Sequence, residues 1–242
     1  MSPKKTQLKT DGIYPDYLEP FINPTKRLTG IYKDDINQAL DYIEKKKYQE
    51  ALVVIKHAIL KEIRIMCVHE TDELFWYDKY DGYWKDEANK LIKIMARRAS
   101  STLTRNQLEE LVNKFKTEKN IRVSKSSLNP RRYLCVKGSV LDLKQILEIS
   151  SSTNLAQVKI MKIAAKPEFY HTKRLNVSYN PKAVPQKWEK FMTEVTNIEG
   201  KRIIEETIGL IIYPGYPIHA IVIFYGLSHA GKETTLKVIK IL

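Results

Sequence analysis

The chain has 242 residues, 43% of them hydrophobic, with 41 Lys+Arg against 28 Asp+Glu and a formal net charge of +13. That length admits one or two domains with a real core, and the apolar and aromatic content excludes a disordered, collagen-like or low-complexity chain. No apolar run approaches a membrane span of ~20 residues, the N-terminus MSPKKTQLKTDG lacks a secretory signal's apolar segment, and Cys67 and Cys135 stand too far apart for a cysteine-rich zinc site.

Residues 1–30 read as a flexible tail, because Pro3, Pro15, Pro20 and Pro24 interrupt any helix. Residues 31–66 read as a helical hairpin. Ile36, Ala39, Leu40 and Ile43 share one face, and a second helix carries Ala51, Leu52, Ile55, Ile59, Ile63 and Met66 to about residue 66. The pair looks a little like one tetratricopeptide unit, without a repeat. After Thr71 the aromatic runs LFWY and YW flank a turn-forming stretch from Asp78 to Gly82, which predicts a β-hairpin. A helix follows on Ala88, Leu91, Ile92 and Met95. Thr104 to Gln107 reads as a capping box that starts another helix at Arg105. YLCVKGSVLDL (133–143) is strand–turn–strand in character. Together, residues 67–178 suggest a winged-helix-like middle domain with the Arg105 helix facing a groove. An α+β domain whose arginines are solvated surface is the plain alternative.

Between 144 and 176 the pattern is irregular, with a loop at Ser150–Thr153 and VKIMKIAAK as a short strand or helix. Pro185 suits the first position of a helix bearing Trp188, Phe191, Met192 and Val195. KRIIEETIGLII continues as a helix, broken by Pro214, Gly215 and Pro217. HAIVIFYG then reads as a strand buried on both faces of a parallel sheet.

Directly after that run, Gly226-x4-Gly231-Lys232 matches a phosphate loop. Small residues let backbone N–H groups wrap a phosphate, and the lysine reaches its oxygens. Gly226, Gly231, Lys232 and Thr234 are the candidate nucleotide-binding residues, and residues 179–242 the expected start of a P-loop α/β domain. Glu233 stands where a Ser or Thr hydroxyl should hold Mg²⁺. Ten residues follow Lys232, too few for a Walker B acid, a water-orienting residue and an arginine finger. The chain by itself is therefore not expected to hydrolyse ATP, and neither a catalytic residue nor a metal-ligand set is assigned.

The positive charge favours polyanions, since each neutralised phosphate releases a counterion. Arg97, Arg98, Arg105, Arg131 and Arg132, beside turn and capping residues, are the candidate DNA contacts. A merely lysine-rich protein is the plain alternative. Heptads and CxxC…HxxxH fingers are both missing, and a membrane-surface helix ranks low. His57 and His219 lack ligand partners at helical spacing, and His69-Glu70 is not followed by x-x-His. Trp76, Tyr77, Tyr83 and Trp84 could stack on bases, but alternating aromatics in a hairpin are more often packing.

In this order the segments resemble the primase-helicases of plasmids, phages and viruses, in the N-terminal region ahead of their superfamily 3 AAA+ motor. ETDELFWYDKYDGYW, LTRNQLEELVNKFK, NPRRYLCVKGSVLDL, RLNVSYNPKAVPQKWEKFMTEV and IEETIGLIIYPGYPIHAIVIFYG carry the likeness over roughly residues 60–242. The expected fold of the chain is α+β, and the likeness implies DNA as partner, ATP and Mg²⁺ as cofactors, and a homo-oligomeric ring where the motor is complete. Gly138-Ser139 departs from the family's Asn-Gly turn, and Glu233 from its Ser or Thr. The expectation is a cytoplasmic replication protein of a mobile element that binds DNA, carries a degenerate ATP loop and has an incomplete motor. Its rivals are a stand-alone, non-enzymatic DNA-binding regulator with a vestigial loop and, further off, an adaptor that caps helicase rings.

Overall fold

A computed structural model describes residues 33–148, 159–215, 218–219 and 221–241. The expected tail over 1–30 and loop at Ser150–Thr153 lie outside the described residues. Among those residues the architecture is mixed α+β, with eight α-helices and two small sheets. The chain forms two compact units, Met1–Tyr80 with Lys85–Ser126, and Asp81–Trp84 with Ser127–Leu242.

In the first unit, α1 (Lys33–Glu44) and α2 (Tyr48–Glu62) make the expected hairpin, with Lys61 bridging to Asp35 at 2.8 Å. α2 stops sooner than its apolar stripe suggests. Ile63 is extended and caps the helix, and residues Ile65–Val68 form β1, not the last turn of a helix. All four residues of β1 are buried. A strand covered on both faces shows no polar alternation, so spacing alone cannot tell it from a continuing helix.

β2 (Leu74–Asp78) runs antiparallel to β1, with Ile65 opposite Trp76 and Cys67 opposite Leu74. β4 (Arg122–Val123) lies parallel on the other side of β1, and β3 (Tyr83–Lys85) completes the order β3-β2-β1-β4. The aromatics of this hairpin pack. Trp76 and Tyr77 are buried, and Lys85 donates to buried Asp78 at 2.7 Å with its Nζ 5.6 Å from the Trp76 ring centre.

Two further helices cover the sheet's core, α3 (Ala88–Ala99) and α4 (Arg105–Lys116). Leu91, Ile92 and Met95 of α3 join Leu108, Leu111 and Phe115 of α4 in one cluster with Ala39 of α1 and Leu52, Ile55 and Ile59 of α2. The N-terminal hairpin thus shares a core with the residues after 67. Each fully buried Leu, Ile, Met or Phe among them contributes about 1.5–3 kcal/mol. The α4 start is local chemistry. Thr104 Oγ1 accepts from the Gln107 amide at 3.3 Å, and Gln107 Oε1 accepts from the Thr104 amide at 2.8 Å.

In the second unit, β5 (Tyr133–Val136) and β6 (Ser139–Asp142) form the expected hairpin, turning at Gly138 with φ +75°. The short helix α5 (Lys144–Leu147) follows, and β7 (Met161–Ile163) pairs antiparallel to β6, which decides the strand-or-helix alternative for VKIMKIAAK. Trp84 donates from Nε1 to the Pro167 carbonyl at 2.9 Å and from its amide to the His171 carbonyl at 2.7 Å.

Beyond these, α6 (Gln186–Val195) begins one residue after Pro185, which sits at the cap and not inside the helix. α7 (Ile198–Ile212) is capped by Asn197, whose Oδ1 accepts from the Gly200 amide at 2.8 Å, and α8 (Lys232–Ile241) is the last helix. The expected buried strand before α8 is corrected. Residues 221–226 carry no strand, and Ile221, Ile223 and Tyr225 are 90%, 81% and 98% exposed. A buried parallel strand needs hydrogen-bonded neighbours, and no described strand lies beside this run.

Candidate nucleic-acid interface and phosphate loop

On α3, Lys90, Lys93 and Arg97 recur at three- and four-residue steps and so share a helix face. The Thr104 cap fixes where α4 starts and sets Arg105 in its first turn. These four cations line one cleft of about 550 Å³ over Ile94 and Leu108, with Glu109 as its acid. Lys93 donates to Glu109 at 2.6 Å and holds that carboxyl below the usual range, with Arg105 adding to the effect. Among the described residues neither Arg97 nor Arg105 has a carboxylate partner. The cleft therefore keeps net positive charge.

Arg97 also borders a second cleft of about 630 Å³ together with Arg98 and Leu40. Arg98 is half-buried, and burial pulls its guanidinium below the usual value.

Arg131 and Arg132 belong to the second unit. Arg132 forks onto Asp142 with Nε–Oδ1 at 2.9 Å and Nη2–Oδ2 at 2.6 Å, bracing the open end of the β5–β6 hairpin. The pairing holds Asp142 below the usual carboxylate range and raises Arg132. Arg132 is thus already occupied by a carboxylate, whereas Arg131 is exposed and lines a cavity of its own unit.

The glycine loop folds around the lysine that opens α8. Lys232 Nζ donates to the carbonyls of Gly226 at 2.9 Å and Leu227 at 2.6 Å. Gly231 has φ +77°, and a Cβ there would stand 2.8 Å from Val195 Cγ1 and 3.1 Å from the Phe191 ring, so only glycine fits. Glu233 pairs with Lys237 at 2.9 Å, one turn along the helix. Thr234 is exposed, and the buried Thr235 hydroxyl donates back to the Gly231 carbonyl at 3.2 Å. In a phosphate loop a hydroxyl directly after the lysine holds Mg²⁺, and Glu233 stands there instead, so these residues do not fit that ion.

Lys90 and Lys93 were not singled out from the sequence, although their spacing with Arg97 would have placed them on one helix face. His171, Lys173 and Arg174 were also missed, because nothing local marks them. Both thiols are buried, and burial pushes Cys67 up and Cys135 up to about 11. Among the described residues no group of three or more His, Cys, Asp and Glu side chains could hold a metal ion, and no helix is long and apolar enough to cross a membrane.

Comparison with curated proteins gives no match. The profile of a family described as D5 N terminal like matches residues 25–197, a span that includes all five candidate arginines and ends before the glycine loop. That domain is associated with the replication primase-helicase proteins of viruses and phages. With the match covering well over half of its length, the chain belongs to the D5 N terminal like family.

Proposed function

We propose that this protein serves DNA replication of a virus, phage or plasmid as a relative of superfamily 3 helicases, and that it holds DNA in the α3–α4 cleft. The observation that carries the reading is the convergence of Lys90, Lys93, Arg97 and Arg105 on one cleft whose lining holds a single acid, Glu109, while Lys90 also reaches Glu87 at 3.9 Å. In this reading α4 is the groove-facing helix of a winged-helix-like module, with Arg105 at its N-terminal end, where such helices meet DNA. Gly226, Gly231 and Lys232 form a phosphate cradle, and Thr234 takes no part through its hydroxyl. A second reading, a non-enzymatic DNA-binding regulator with a vestigial loop, is favoured by Glu233, which brings a carboxylate into the first turn of α8.

Fluorescence anisotropy with labelled duplex and single-stranded DNA over a salt series tests the interface. Affinity should fall steeply with salt, and Arg97→Ala and Arg105→Ala should each reduce the log–log slope by about 0.9 on duplex or about 0.7 on single strands. Slopes unchanged in both variants would remove the cleft as the interface. Thermal unfolding with and without Mg-ATP separates the two readings. Stabilisation of about 2.7 kcal/mol at a hundredfold excess over Kd, lost in Lys232→Ala, supports the helicase relative. No stabilisation supports the regulator.

A further inference from the structure

The second unit contains a cavity of about 540 Å³ that the DNA-binding reading leaves unused. Its wall is built by Arg131 and Tyr133 at the start of β5, by His171, Lys173 and Arg174, and by Tyr213 at the end of α7. Three cations line it and no carboxylate does. Arg174 is anchored, with Nη1 on Asp81 at 2.7 Å and its guanidinium 4.8 Å from the Tyr83 ring centre. Arg131 and Lys173 have no carboxylate partner among the described residues. Gly215, at φ +142°, leaves room for Arg131, since a Cβ there would lie 3.2 Å from the Arg131 Nε.

The second observation is His171. It is 4% exposed, and its Nε2 is buried with no hydrogen-bond partner. Buried polar groups left unpaired are rare and costly, so a buried orphan on a cavity wall calls for a partner from outside the chain. Burial also pulls the imidazole down to about 4, which keeps it neutral at pH 7 with one donor and one acceptor nitrogen.

The backbone around it is held in advance. Asn129 Oδ1 accepts from the amides of Thr172 at 2.9 Å and Lys173 at 3.2 Å, and Asn129 Nδ2 donates to Thr172 Oγ1 at 2.8 Å. Such fixing lowers the ordering cost of binding.

We propose that this cavity binds a phosphate monoester carried on a flat, uncharged ring, the chemistry of one nucleotide. Arg131 and Lys173 take the phosphate, Tyr133 and Tyr213 flank the ring, and His171 Nε2 hydrogen-bonds its polar edge. The volume lies within the range of about 300–1,000 Å³ typical of small-ligand sites. The nucleotide is either free or the 5′-phosphorylated end of a strand. The site does not depend on the α3–α4 cleft.

Isothermal titration of the full chain with dAMP, adenosine and a 5′-phosphorylated oligonucleotide tests this, together with the ¹⁵N resonances of the His171 imidazole. Saturable binding of dAMP, weaker binding of adenosine, a shift of the His171 signal and about a tenfold loss in Arg131→Met and Lys173→Met are expected. Tighter binding of the oligonucleotide, with the same variant sensitivity and His171 shift, assigns the site to a strand end. Equal or weaker binding assigns it to the free nucleotide. Arg97→Ala should leave dAMP binding unchanged, so failure of the cleft and failure of this site are told apart. The proposal is overturned if neither phosphorylated ligand saturates, or if binding leaves His171 unmoved. The His171 signal is read on the unsubstituted protein and decides the matter should a variant not fold.

Discussion

Mild acidification should destabilise the protein through His171. An unfolded-chain imidazole takes its proton near pH 6.5, whereas burial holds the folded one to about 4. Between those values the unfolded state binds more protons, so stability is complete above about pH 6.5 and declines as the pH falls toward 4. The loss is about 1 kcal/mol between pH 7 and pH 5.5, rising toward a ceiling of about 3 kcal/mol. For a chain of this size the first step lowers Tm by about 2–4 °C. Asp142, Glu109 and Glu118, held below their ordinary values by cationic partners, lose their contribution only at lower pH. Urea unfolding followed by tryptophan fluorescence at half-unit steps from pH 7.5 to pH 5 measures the effect. His171→Gln does not titrate and should flatten the profile by that 1 kcal/mol. Parallel profiles for the two proteins would refute the reasoning, because the folded imidazole would then protonate as freely as the unfolded one.

Other substitutions check the packing and the caps. Phe115→Ala, in the cluster shared by α1 to α4, should cost about 3–5 kcal/mol in urea unfolding. Thr104→Ala removes the capping box and should cost about 1 kcal/mol, and weaken duplex binding in the anisotropy assay by fraying the turn that carries Arg105. Gly231→Ala should cost about 1–3 kcal/mol in thermal unfolding, from its positive φ and from the contact with Val195. A Gly231→Ala protein as stable as the parent would mean that the loop does not hold this conformation.

Short-range chemistry was enough for much of the chain. The Thr104–Gln107 box announces the start of α4 because the two groups that satisfy each other lie three residues apart. The β5–β6 hairpin and the stripes of α1, α3 and α6 are likewise legible, since each pattern is complete within its own element. The spacing of Lys90, Lys93 and Arg97 on α3 belongs with these.

Tertiary structure decided the rest, wherever a residue's role depends on a partner far along the chain. β1 is a strand because β2 and β4 hydrogen-bond it on both sides, which its four apolar residues cannot declare. The run before the glycine loop has every local mark of a buried strand, yet lacks strand neighbours among the described residues and lies exposed. Arg131 and Arg132 are adjacent in sequence and alike in type. One faces a cavity while the other is taken by Asp142, because β-pairing brings that carboxylate opposite Tyr133. His171 acquires its meaning only when Asn129 and Trp84 fix its segment against the cavity wall, contacts that span about forty and more than eighty residues. Helix caps and amphipathic stripes act over one or two turns and can be read in order, whereas the pairing of strands and the burial of a polar group are set by which distant segments the folded chain brings together.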